Sequence, residues 1–386
     1  MGLPKGWDAT AHAEWEAKRP GPAIAIALAR LNSDPAPTAD MALQACYYLF
    51  LQNAFAPARD ILERAVAAHP GHLPLRLNAG VLCTRTGDHV ATRHHLEHYI
   101  ALGGTDVGAF DGLAGACHKL GDDDRAADWG RKAIAAKTEM ASRLGPLLTL
   151  GQPRPDGASI IAFSLWGSNP RYLRGAVHNA LRAPQVYPDF RCRFYLDASV
   201  PDDLVATLQR LGAETIVEQG EPSNIHRLTR RFLVADDPSV RRYLVRDCDS
   251  LVNAREAASV GLWIDSGRPF HVMRDWWTHS DPILAGMWAG MGGVLPPLAP
   301  LIATYKPKVL ETPNWDQWFL RDRIWPSIRA NALVHDRCFH GEDSEPFPGL
   351  PPRGNLHVGQ DEYAVRREEQ AEELAPFKAS TPSLQL

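Results

Sequence analysis

Residues 243–251 read Tyr-Leu-Val-Arg-Asp-Cys-Asp-Ser-Leu, an apolar run that ends in two aspartates, Asp247 and Asp249. Side chains along a strand alternate between its two faces, so these two carboxylates point the same way. At the carboxyl end of a buried strand they would repel each other and lose hydration. A hard divalent cation such as Mg²⁺ or Mn²⁺ would offset both costs, because such ions prefer carboxylate oxygens. The stretch therefore predicts a metal site at the end of a sheet strand and is the main reason to expect an enzyme.

The segments around this stretch alternate between strand patterns and helix patterns. Short β-branched or aromatic runs predict strands over residues 159–165, 193–196, 215–217, 242–246 and 269–273. Helical patterns occupy residues 171–187, 201–211 and 227–234. This alternation predicts an α/β sandwich with a mainly parallel sheet. Ligands of such sheets bind beyond the carboxyl ends of the strands, which is where Trp166, Asp197 and the aspartate pair fall.

The N-terminal part of the chain repeats itself with a period of 34 residues. Asn53, Gly87 and Gly121 share this spacing, and the same register aligns small residues, apolar residues and helix breakers further along. The aligned sets are Ala58, Thr92 and Ala126; Leu62, Leu96 and Gly130; Ala65, Tyr99 and Ala133; and Pro70, Gly104 and Thr138. Glycine, and to a lesser degree asparagine, adopts the left-handed conformation found at helix ends. The period therefore predicts a stack of helical hairpins.

This pattern resembles the tetratricopeptide repeat over roughly residues 20–140. Residues 21–35 look like the second helix of a degenerate preceding unit, so about three repeats are expected, the minimum for a stable stack. The resemblance implies an all-α solenoid that binds a protein partner or mediates self-association in its concave groove. A packing platform for the second domain is the alternative.

Proline and glycine are concentrated in residues 145–157, where the helical texture gives way to the strand pattern. We therefore predict a tetratricopeptide-repeat domain over residues 1–145, a linker over 146–157 and an α/β domain over 158–360. A charged helix and a disordered tail follow over residues 361–386, because the chain ends in a polar segment of about ten residues.

The aspartate pair ends a strand about 90 residues into the predicted α/β domain. In this place it resembles the metal-binding signature of bacterial-type nucleotide-sugar glycosyltransferases of the GT-A fold, an α/β/α sandwich. The resemblance implies that Asp247 and Asp249 hold Mn²⁺ or Mg²⁺, which bridges the diphosphate of a nucleoside-diphosphate sugar. His357-Val358-Gly359 resembles the late His-x-Gly of some retaining members, which implies His357 as a third metal ligand. The segment Trp315–Leu320 resembles the second acidic motif, which implies that Asp316 contacts the acceptor or the reacting sugar.

Further residues are expected to line the donor site. Ser164, Trp166 and Gly167 end the first predicted strand and would approach the nucleoside. Arg246 directly precedes the aspartate pair and could serve a phosphate. The glycine-rich stretch Gly286–Gly293 lacks the spacing of a Walker or Rossmann fingerprint, so we interpret it as a close-approach loop that lines the same site.

Each candidate acid also has a structural interpretation. Asp275, which lies among aromatic residues, is a candidate to orient the acceptor or to act as base, and ordinary pairing with Arg274 is the alternative. Asp316 could instead be a helix N-terminal acid stabilised by the helix dipole. The aspartate pair could be a solvated strand end or part of a salt-bridge cluster with Arg246 and Arg255. His357 could be an ordinary surface or core histidine.

Composition argues against a nucleic-acid-binding protein, a zinc-finger or disulfide-linked protein and a membrane-spanning protein. The formal net charge of the 386-residue chain is −4, which gives no basic footprint for a nucleic-acid partner. The six cysteines are scattered, without a zinc-type spacing, and are expected to be reduced thiols. The N-terminus lacks the apolar core of a signal peptide, and its longest apolar run is too short to span a bilayer. We expect a soluble cytoplasmic protein, at most peripheral to the inner face of a membrane.

The leading functional hypothesis is a metal-dependent glycosyltransferase that acts on a hydroxyl of a glycan, lipid-linked or protein acceptor. A non-enzymatic alternative is a repeat scaffold whose second domain is a degenerate α/β module. A third hypothesis is an aspartyl phosphatase of the haloacid-dehalogenase type, which also ends a strand in Asp-x-Asp. That family requires threonine or valine where this chain has Leu251, and its motif lies on the first strand of its domain, whereas three predicted strands precede Asp247.

Overall fold

The computed structural model describes residues 3–217, 226–307 and 314–386. The chain forms two compact units, a first that extends to Ala133 and a second that begins at Ile134. Among the helices of the described residues, none combines the length and the apolar character needed to cross a bilayer. All six cysteines are buried, unpaired thiols.

The first unit consists of antiparallel helical hairpins. Its helices are α1 (Ala9–Glu16), α2 (Pro20–Ser33), α3 (Ala39–Leu51), α4 (Phe55–Ala68), α5 (Leu73–Arg85), α6 (His89–Ala101), α7 (Val107–Lys119) and α8 (Asp123–Ser142), the last of which continues into the second unit. Helices α3, α5 and α7 begin 34 residues apart, as do α4, α6 and α8. Asn53, Gly87 and Gly121 have φ angles of 58°, 77° and 79° at the turns between them. The predicted 34-residue array of helical hairpins is confirmed.

The second unit is built on an eight-stranded sheet with the order β3-β2-β1-β4-β6-β5-β7-β8. The strands are β1 (Ala158–Leu165), β2 (Arg191–Leu196), β3 (Glu214–Val217), β4 (Val240–Arg246), β5 (Phe270–Arg274), β6 (Met287–Met291), β7 (Ala332–Asp336) and β8 (Ser344–Glu345). Among the strands of the described residues, only β6 runs antiparallel to its neighbours, which are β4 and β5. From β1 the chain proceeds to β2 and β3 on one side and to β4 on the other, so the order reverses between β1 and β4.

Helices cover both faces of this sheet. They are α9 (Pro170–Val186), α10 (Asp202–Arg210), a 3₁₀ helix (Arg227–Ala235), α11 (Ala254–Ser266), α12 (Leu298–Thr304), α13 (Trp315–Phe319), α14 (Trp325–Ile328), α15 (Glu362–Val365) and α16 (Arg367–Leu374). Ile160 and Ala162 of β1 enter one apolar core, and Ile161, Phe163 and Leu165 enter the other. Burial on both faces explains why the strands are continuously apolar. The predicted mainly parallel α/β architecture is confirmed.

The glycine-rich stretch 286–293 differs from its prediction, because it contains strand β6 rather than a loop. Glycine is unfavourable in strands, which is why the sequence did not indicate one. The glycines are needed for close approach: a Cβ on Gly290 would lie 2.3 Å from Oη of Tyr243, and one on Gly286 would lie 1.9 Å from Oδ2 of Asp247. The stretch was predicted as a loop that lines the donor site, whereas it contains a strand and none of its residues lines the cavity at the carboxyl ends of β1 and β4.

The C-terminal segment also differs from its prediction as a disordered tail. Thr381 and Leu384 are fully buried, and Leu384 belongs to the apolar core beneath α9. Nε of Arg174 on α9 donates to the carbonyl of Leu384 at 2.9 Å, and the backbone N–H of Ser383 donates to Asp203 at 2.9 Å. Leu384, the partly buried Leu386 that packs against the same core, and these polar contacts order a segment whose composition is otherwise polar.

Gly175 on α9 and Gly261 on α11 form a matched pair for testing close packing. A Cβ on Gly175 would lie 1.9 Å from the carbonyl oxygen of Cys248, whereas a Cβ on Gly261 has nothing within 4 Å. We predict that Gly175→Ala lowers the free energy of unfolding by about 1–3 kcal/mol through overpacking. Gly261→Ala should raise it by about 0.5–1 kcal/mol, because alanine favours the helix. Denaturant unfolding measures both; equal effects would contradict the close approach.

A buried histidine pair predicts how stability depends on pH. Nε2 of His271 on β5 lies 2.7 Å from Nδ1 of His335 on β7, and both side chains are buried. Burial lowers the pKa of His335 to about 4 from an ordinary 6.5, and lowers the pKa of His271 as well. Between these values the unfolded chain binds protons that the folded chain excludes. The contribution of these two histidines to the free energy of unfolding is therefore fully present above pH 6.5 and is lost as the pH falls towards 4.

We predict that His335 contributes about 2 kcal/mol to the drop in unfolding free energy between pH 7.5 and pH 5. His335→Asn should reduce that drop, whereas His340→Asn, at an exposed position, should leave it unchanged. The measurement is denaturant unfolding at both pH values. An equal drop in the wild type and in His335→Asn would show that this histidine is not the source.

Candidate functional site

A cavity of about 540 Å³ opens at the carboxyl ends of β1 and β4, where the strand order reverses. In open α/β sheets this is the position at which ligands bind. The lining residues come from the ends of both strands and from three later or neighbouring segments: Ser164, Leu165, Trp166, Arg171, Tyr172, His226, Leu228, Arg231, Asp247, Cys248, Asp249, Gly359 and Asp361. The cavity thus brings together four of the predicted site residues, Ser164, Trp166, Asp247 and Asp249.

Asp249 is joined to a distant acid through an arginine. Its Oδ2 lies 2.5 Å from Nη2 of Arg171, which lies 3.1 Å from Oδ2 of Asp361. The Asp249 side chain is only 14% exposed, and burial together with the charge of Asp247 raises its pKa, against the opposing effect of Arg171. The backbone N–H of Glu362 donates to the carbonyl of Asp249 at 2.9 Å, which brings the 359–362 segment to the cavity.

Asp247 is joined to another distant acid in the same manner. Arg231 is buried; its Nη1 contacts Oδ1 of Asp247, and its Nη2 donates to Oδ2 of Asp316 at 2.8 Å. The backbone N–H of Arg231 donates to Oγ of Ser164 at 2.9 Å, which anchors the 3₁₀ helix to the end of β1. Burial raises the pKa of Asp316 to about 6 in spite of Arg231.

Hydrogen bonds from α9 hold the loop that carries the aspartate pair. Asn179 is fully buried; its Nδ2 donates to the carbonyl of Ser250 at 2.8 Å, and its Oδ1 accepts the backbone N–H of Val252 at 3.0 Å. The thiol of Cys248 donates to the carbonyl of Ser164 at 3.3 Å, so the ends of β1 and β4 are also linked directly. These contacts fix where the two carboxylates point.

The other five predicted residues lie outside the lining of the cavity, and Arg246 and Asp275 are buried elsewhere in the unit. Arg246 was expected to face a phosphate, but side chains alternate along a strand, and this one is buried on the side opposite the pair. Its Nε lies 3.1 Å from Oε1 of Glu256. Asp275 was expected to be catalytic, but it is fully buried between Arg255 and Arg337 at 3.2 and 3.1 Å. Its role is to hold this part of the fold together, and a direct contact with an acceptor does not fit.

His357 does not take the predicted place of a third metal ligand. Its Nδ1 lies 2.8 Å from the carbonyl of Asn355, and its ring stacks on Trp276 with centroids 4.7 Å apart. Among the described residues, Asp247, Asp249 and His357 do not form a group of three whose ligand atoms all lie within 4.8 Å of one another. Gly167 likewise lies outside the lining, with a φ of 70° and its N–H donated to Ser199. Asp316 reaches the site only through Arg231.

Sequence reasoning missed Arg171, Arg231 and Asp361, the residues that surround the aspartate pair. Arg171 follows Asn169, whose side chain caps α9, so its place just beyond β1 could have been read from the capping pattern. Arg231 lies in a segment predicted as helix, and Asp361 follows the late His-x-Gly. Neither carries a local signal, because their partners are distant in sequence.

The chemistry of the residues present fits a divalent ion. Asp247 is 47% exposed towards the cavity, and its charge contributes to the raised pKa of Asp249, so the two carboxylates are close enough to repel each other. Their oxygens are the hard ligands that Mg²⁺ and Mn²⁺ prefer. In the structure, Arg231 and Arg171 provide the compensating positive charge.

No protein-family model matches the chain. A comparison with curated proteins also finds no match. Among solved structures, a crystal structure of MamA is 19% identical, with a TM-score of 0.32, over 34% of this chain and 76% of that one. A mutant of the Thermobaculum terrenum O-GlcNAc transferase is 18% identical, with a TM-score of 0.36, over 61% of this chain and 44% of that one. The pilus biogenesis factor PilW is 17% identical, with a TM-score of 0.29, over 32% of this chain and 58% of that one.

Asn179 offers a test of how the aspartate loop is held. We predict that Asn179→Ala lowers the free energy of unfolding by about 2–4 kcal/mol, because the buried N–H of Val252 and the carbonyl of Ser250 lose their partners. Gln185→Ala, at an exposed position on the same helix, should change it by less than about 0.5 kcal/mol. Both values come from denaturant unfolding. A negligible cost for Asn179→Ala would show that the loop is held by other contacts.

Proposed function

We propose that the second unit is a metal-dependent glycosyltransferase that moves a sugar from a nucleoside-diphosphate donor to a hydroxyl of a glycan, lipid-linked or protein acceptor. The observation that carries this proposal is the convergence of both aspartates of the Asp-x-Asp stretch on a cavity at the reversal of strand order. A mainly parallel sheet, two arginines and two aromatic side chains around the same cavity support it.

Asp247 and Asp249 would hold Mn²⁺ or Mg²⁺ in this proposal. The ion would stabilise the negative charge that develops on the leaving diphosphate as the glycosidic C–O bond breaks. Three carboxylates and two guanidinium groups line the cavity, so without a cation its charge opposes the entry of a diphosphate. The proposal therefore requires the metal and the nucleotide to bind cooperatively.

Arg171 and Arg231 would bind the phosphates in this proposal. Guanidinium groups bind phosphate oxygens in a bidentate manner, and each of these two is already oriented by a second acid, Asp361 or Asp316. Arg231 is buried and fixed, whereas Arg171 is partly exposed at the mouth and can turn towards a ligand. Asp316 is a positioning residue, since it acts on the site through Arg231.

The nucleoside would lie on the β1 side of the cavity. Trp166 and Tyr172 are nearly parallel there, with an angle of 22° between ring planes and centroids 6.5 Å apart. The His226 ring lies across the same lining and stacks on Trp315 at 5.3 Å. Flat aromatic faces stack on any nucleobase, so this arrangement suits a nucleoside without selecting one base. The helical array of the first unit would bind a protein partner or mediate self-association.

A non-enzymatic scaffold is the competing function, and one observation favours it. Each aspartate already has an arginine partner, so the pair is charge-compensated without any metal. In that case Asp247 and Asp249 would be structural ion pairs of a degenerate α/β module. The two functions differ in whether a divalent ion and a nucleotide diphosphate bind together.

Binding is measured as the thermal stability of the full chain with UDP, GDP or CDP, each with and without Mn²⁺. We predict that one nucleotide stabilises the protein only when Mn²⁺ is present, by about 2.7 kcal/mol at a hundred times its Kd. Asp249→Asn should abolish this stabilisation while the protein remains folded. Asp189→Asn, at an exposed position, should retain it.

Slow release of nucleoside diphosphate from the matching nucleotide sugar, with water as acceptor, provides a second readout. It should require Mn²⁺ and be lost in Asp249→Asn. Absence of stabilisation by all three nucleotides in the presence of Mn²⁺ would overturn the enzyme assignment in favour of the scaffold. Turnover that survives in Asp249→Asn would contradict the proposed metal site.

A further inference from the structure

A second group of metal-binding side chains lies in the first unit, on three consecutive helices. Glu63 on α4, Cys83 on α5 and His95 on α6 place one ligand atom each within 4.8 Å of the other two. Oε1 of Glu63 lies 3.7 Å from Sγ of Cys83 and 3.1 Å from Nε2 of His95. Thiol, imidazole and carboxylate therefore meet at one point.

These separations are close to the edges of a tetrahedral zinc site. Zinc–ligand bonds of about 2.3 Å to sulfur and about 2.0–2.1 Å to nitrogen and oxygen give edges of about 3.6 Å between S and O and about 3.3 Å between N and O. The observed 3.7 and 3.1 Å differ from these by no more than a small side-chain movement. A fourth position remains for water, as at open zinc sites.

The imidazole of the cluster is already in the protonation state that a metal ion requires, whereas the thiol is not. Burial lowers the pKa of His95, so its imidazole is neutral and able to ligate. Its Nδ1 is buried and finds no hydrogen-bond partner among the described residues. Burial raises the pKa of the Cys83 thiol to about 11, so a metal ion would have to displace its proton. Glu63 is 38% exposed and leaves the site open to solvent.

The neighbouring charge is compensated. Nε of Arg59 lies 3.7 Å from Oε1 of Glu63, and its Nη2 lies 2.6 Å from Asp88, which holds the guanidinium on the outer side of the cluster. A divalent ion bound by the Cys83 thiolate and the Glu63 carboxylate would be electrically neutral. The cluster can therefore accept Zn²⁺ at the cost of one released proton.

We propose that Glu63, Cys83 and His95 form a zinc site that ties α4, α5 and α6 together and stabilises the helical array. Binding releases the thiol proton of Cys83 to solvent and forms Zn–S, Zn–N and Zn–O bonds. Because thiolate and imidazole select Zn²⁺ over Mg²⁺ and Mn²⁺, this site differs in metal preference from the aspartate pair. It does not depend on the function proposed for the second unit.

The 34-residue repeat provides an internal control. One period later, Cys117 occupies the position of Cys83 and Glu97 that of Glu63, but Trp129 replaces His95. Cys117 is as fully buried as Cys83. A Cys117→Ser variant therefore removes a buried thiol from the same structural position without removing a ligand of the cluster.

The test uses the full chain after removal of metals with a chelator. Zn²⁺ is titrated against a chromogenic competitor, and Co²⁺ is added as a spectroscopic probe of thiolate ligation. We expect one Zn²⁺ per chain, a thiolate-to-Co²⁺ absorption band, and a melting temperature that rises with Zn²⁺. Cys83→Ser and His95→Gln should weaken Zn²⁺ binding at least about tenfold and abolish the band, whereas Cys117→Ser and Asp249→Asn should retain both.

The outcomes separate this site from the aspartate pair of the second unit. Zinc affinity that is unchanged in both Cys83→Ser and His95→Gln would overturn the proposal, as would the absence of a thiolate band in the wild type. Loss of Zn²⁺ binding in Asp249→Asn but not in Cys83→Ser would place the ion at the aspartate pair and equally overturn the proposal. Should Cys83→Ser fail to fold, His95→Gln together with the competitor titration decides the question alone.

Discussion

The second unit depends on the neutralisation of two carboxylates at the end of a buried strand. Asp247 and Asp249 lie on one face of the chain where β4 ends, and burial together with the charge of Asp247 raises the pKa of Asp249. The structure supplies positive charge through Arg231 and Arg171, each of which also binds a second acid. Two acid–arginine–acid bridges therefore connect β4 to α13 and to the segment that precedes α15. Replacing either arginine would remove the positive partner of one largely buried carboxylate, Asp249 or Asp316, and of one more exposed carboxylate, Asp361 or Asp247.

This arrangement of charges is possible because the backbone of α9 and the backbone before β6 lie very close to the loop that carries the two aspartates. Gly175 lets α9 contact the carbonyl of Cys248, and Gly286 lets the start of β6 contact the carboxylate of Asp247. Asn179 satisfies the polar groups of the loop between them. A side chain larger than hydrogen at either glycine would push the aspartates away from their arginines. The glycines and the asparagine thus belong to the site as much as the charged residues do, although they contact no ligand.

Local patterns predicted the elements of this chain better than its site. The 34-residue period fixed the helical array because each hairpin repeats the same turn residue, and continuous apolar runs located β1, β2 and β4 because these strands are buried on both faces. Strand β6 was missed, since its glycines serve contacts with Tyr243 and Asp247 that are distant in sequence. Asp247 and Asp249 were found because both belong to one strand. Arg171, Arg231 and Asp361 were not, and Arg246 and Asp275 were misassigned, because tertiary contacts alone decide which charges meet.

The two clusters of ligating side chains differ in chemistry in a way that makes them independent. The cavity of the second unit presents carboxylate oxygens and guanidinium groups, which favour a hard ion together with an anionic ligand. The cluster on α4, α5 and α6 presents a thiol, an imidazole and one carboxylate, which favour a borderline-soft ion and need no anion for charge balance. An excess of Mg²⁺ would therefore compete with another divalent ion for the aspartate pair, but hardly with Zn²⁺ for the cluster on α4, α5 and α6. If both proposals hold, the chain would keep a structural ion in its repeats while a different ion in the cavity exchanges with the nucleotide, because the two sets of side chains favour different metals.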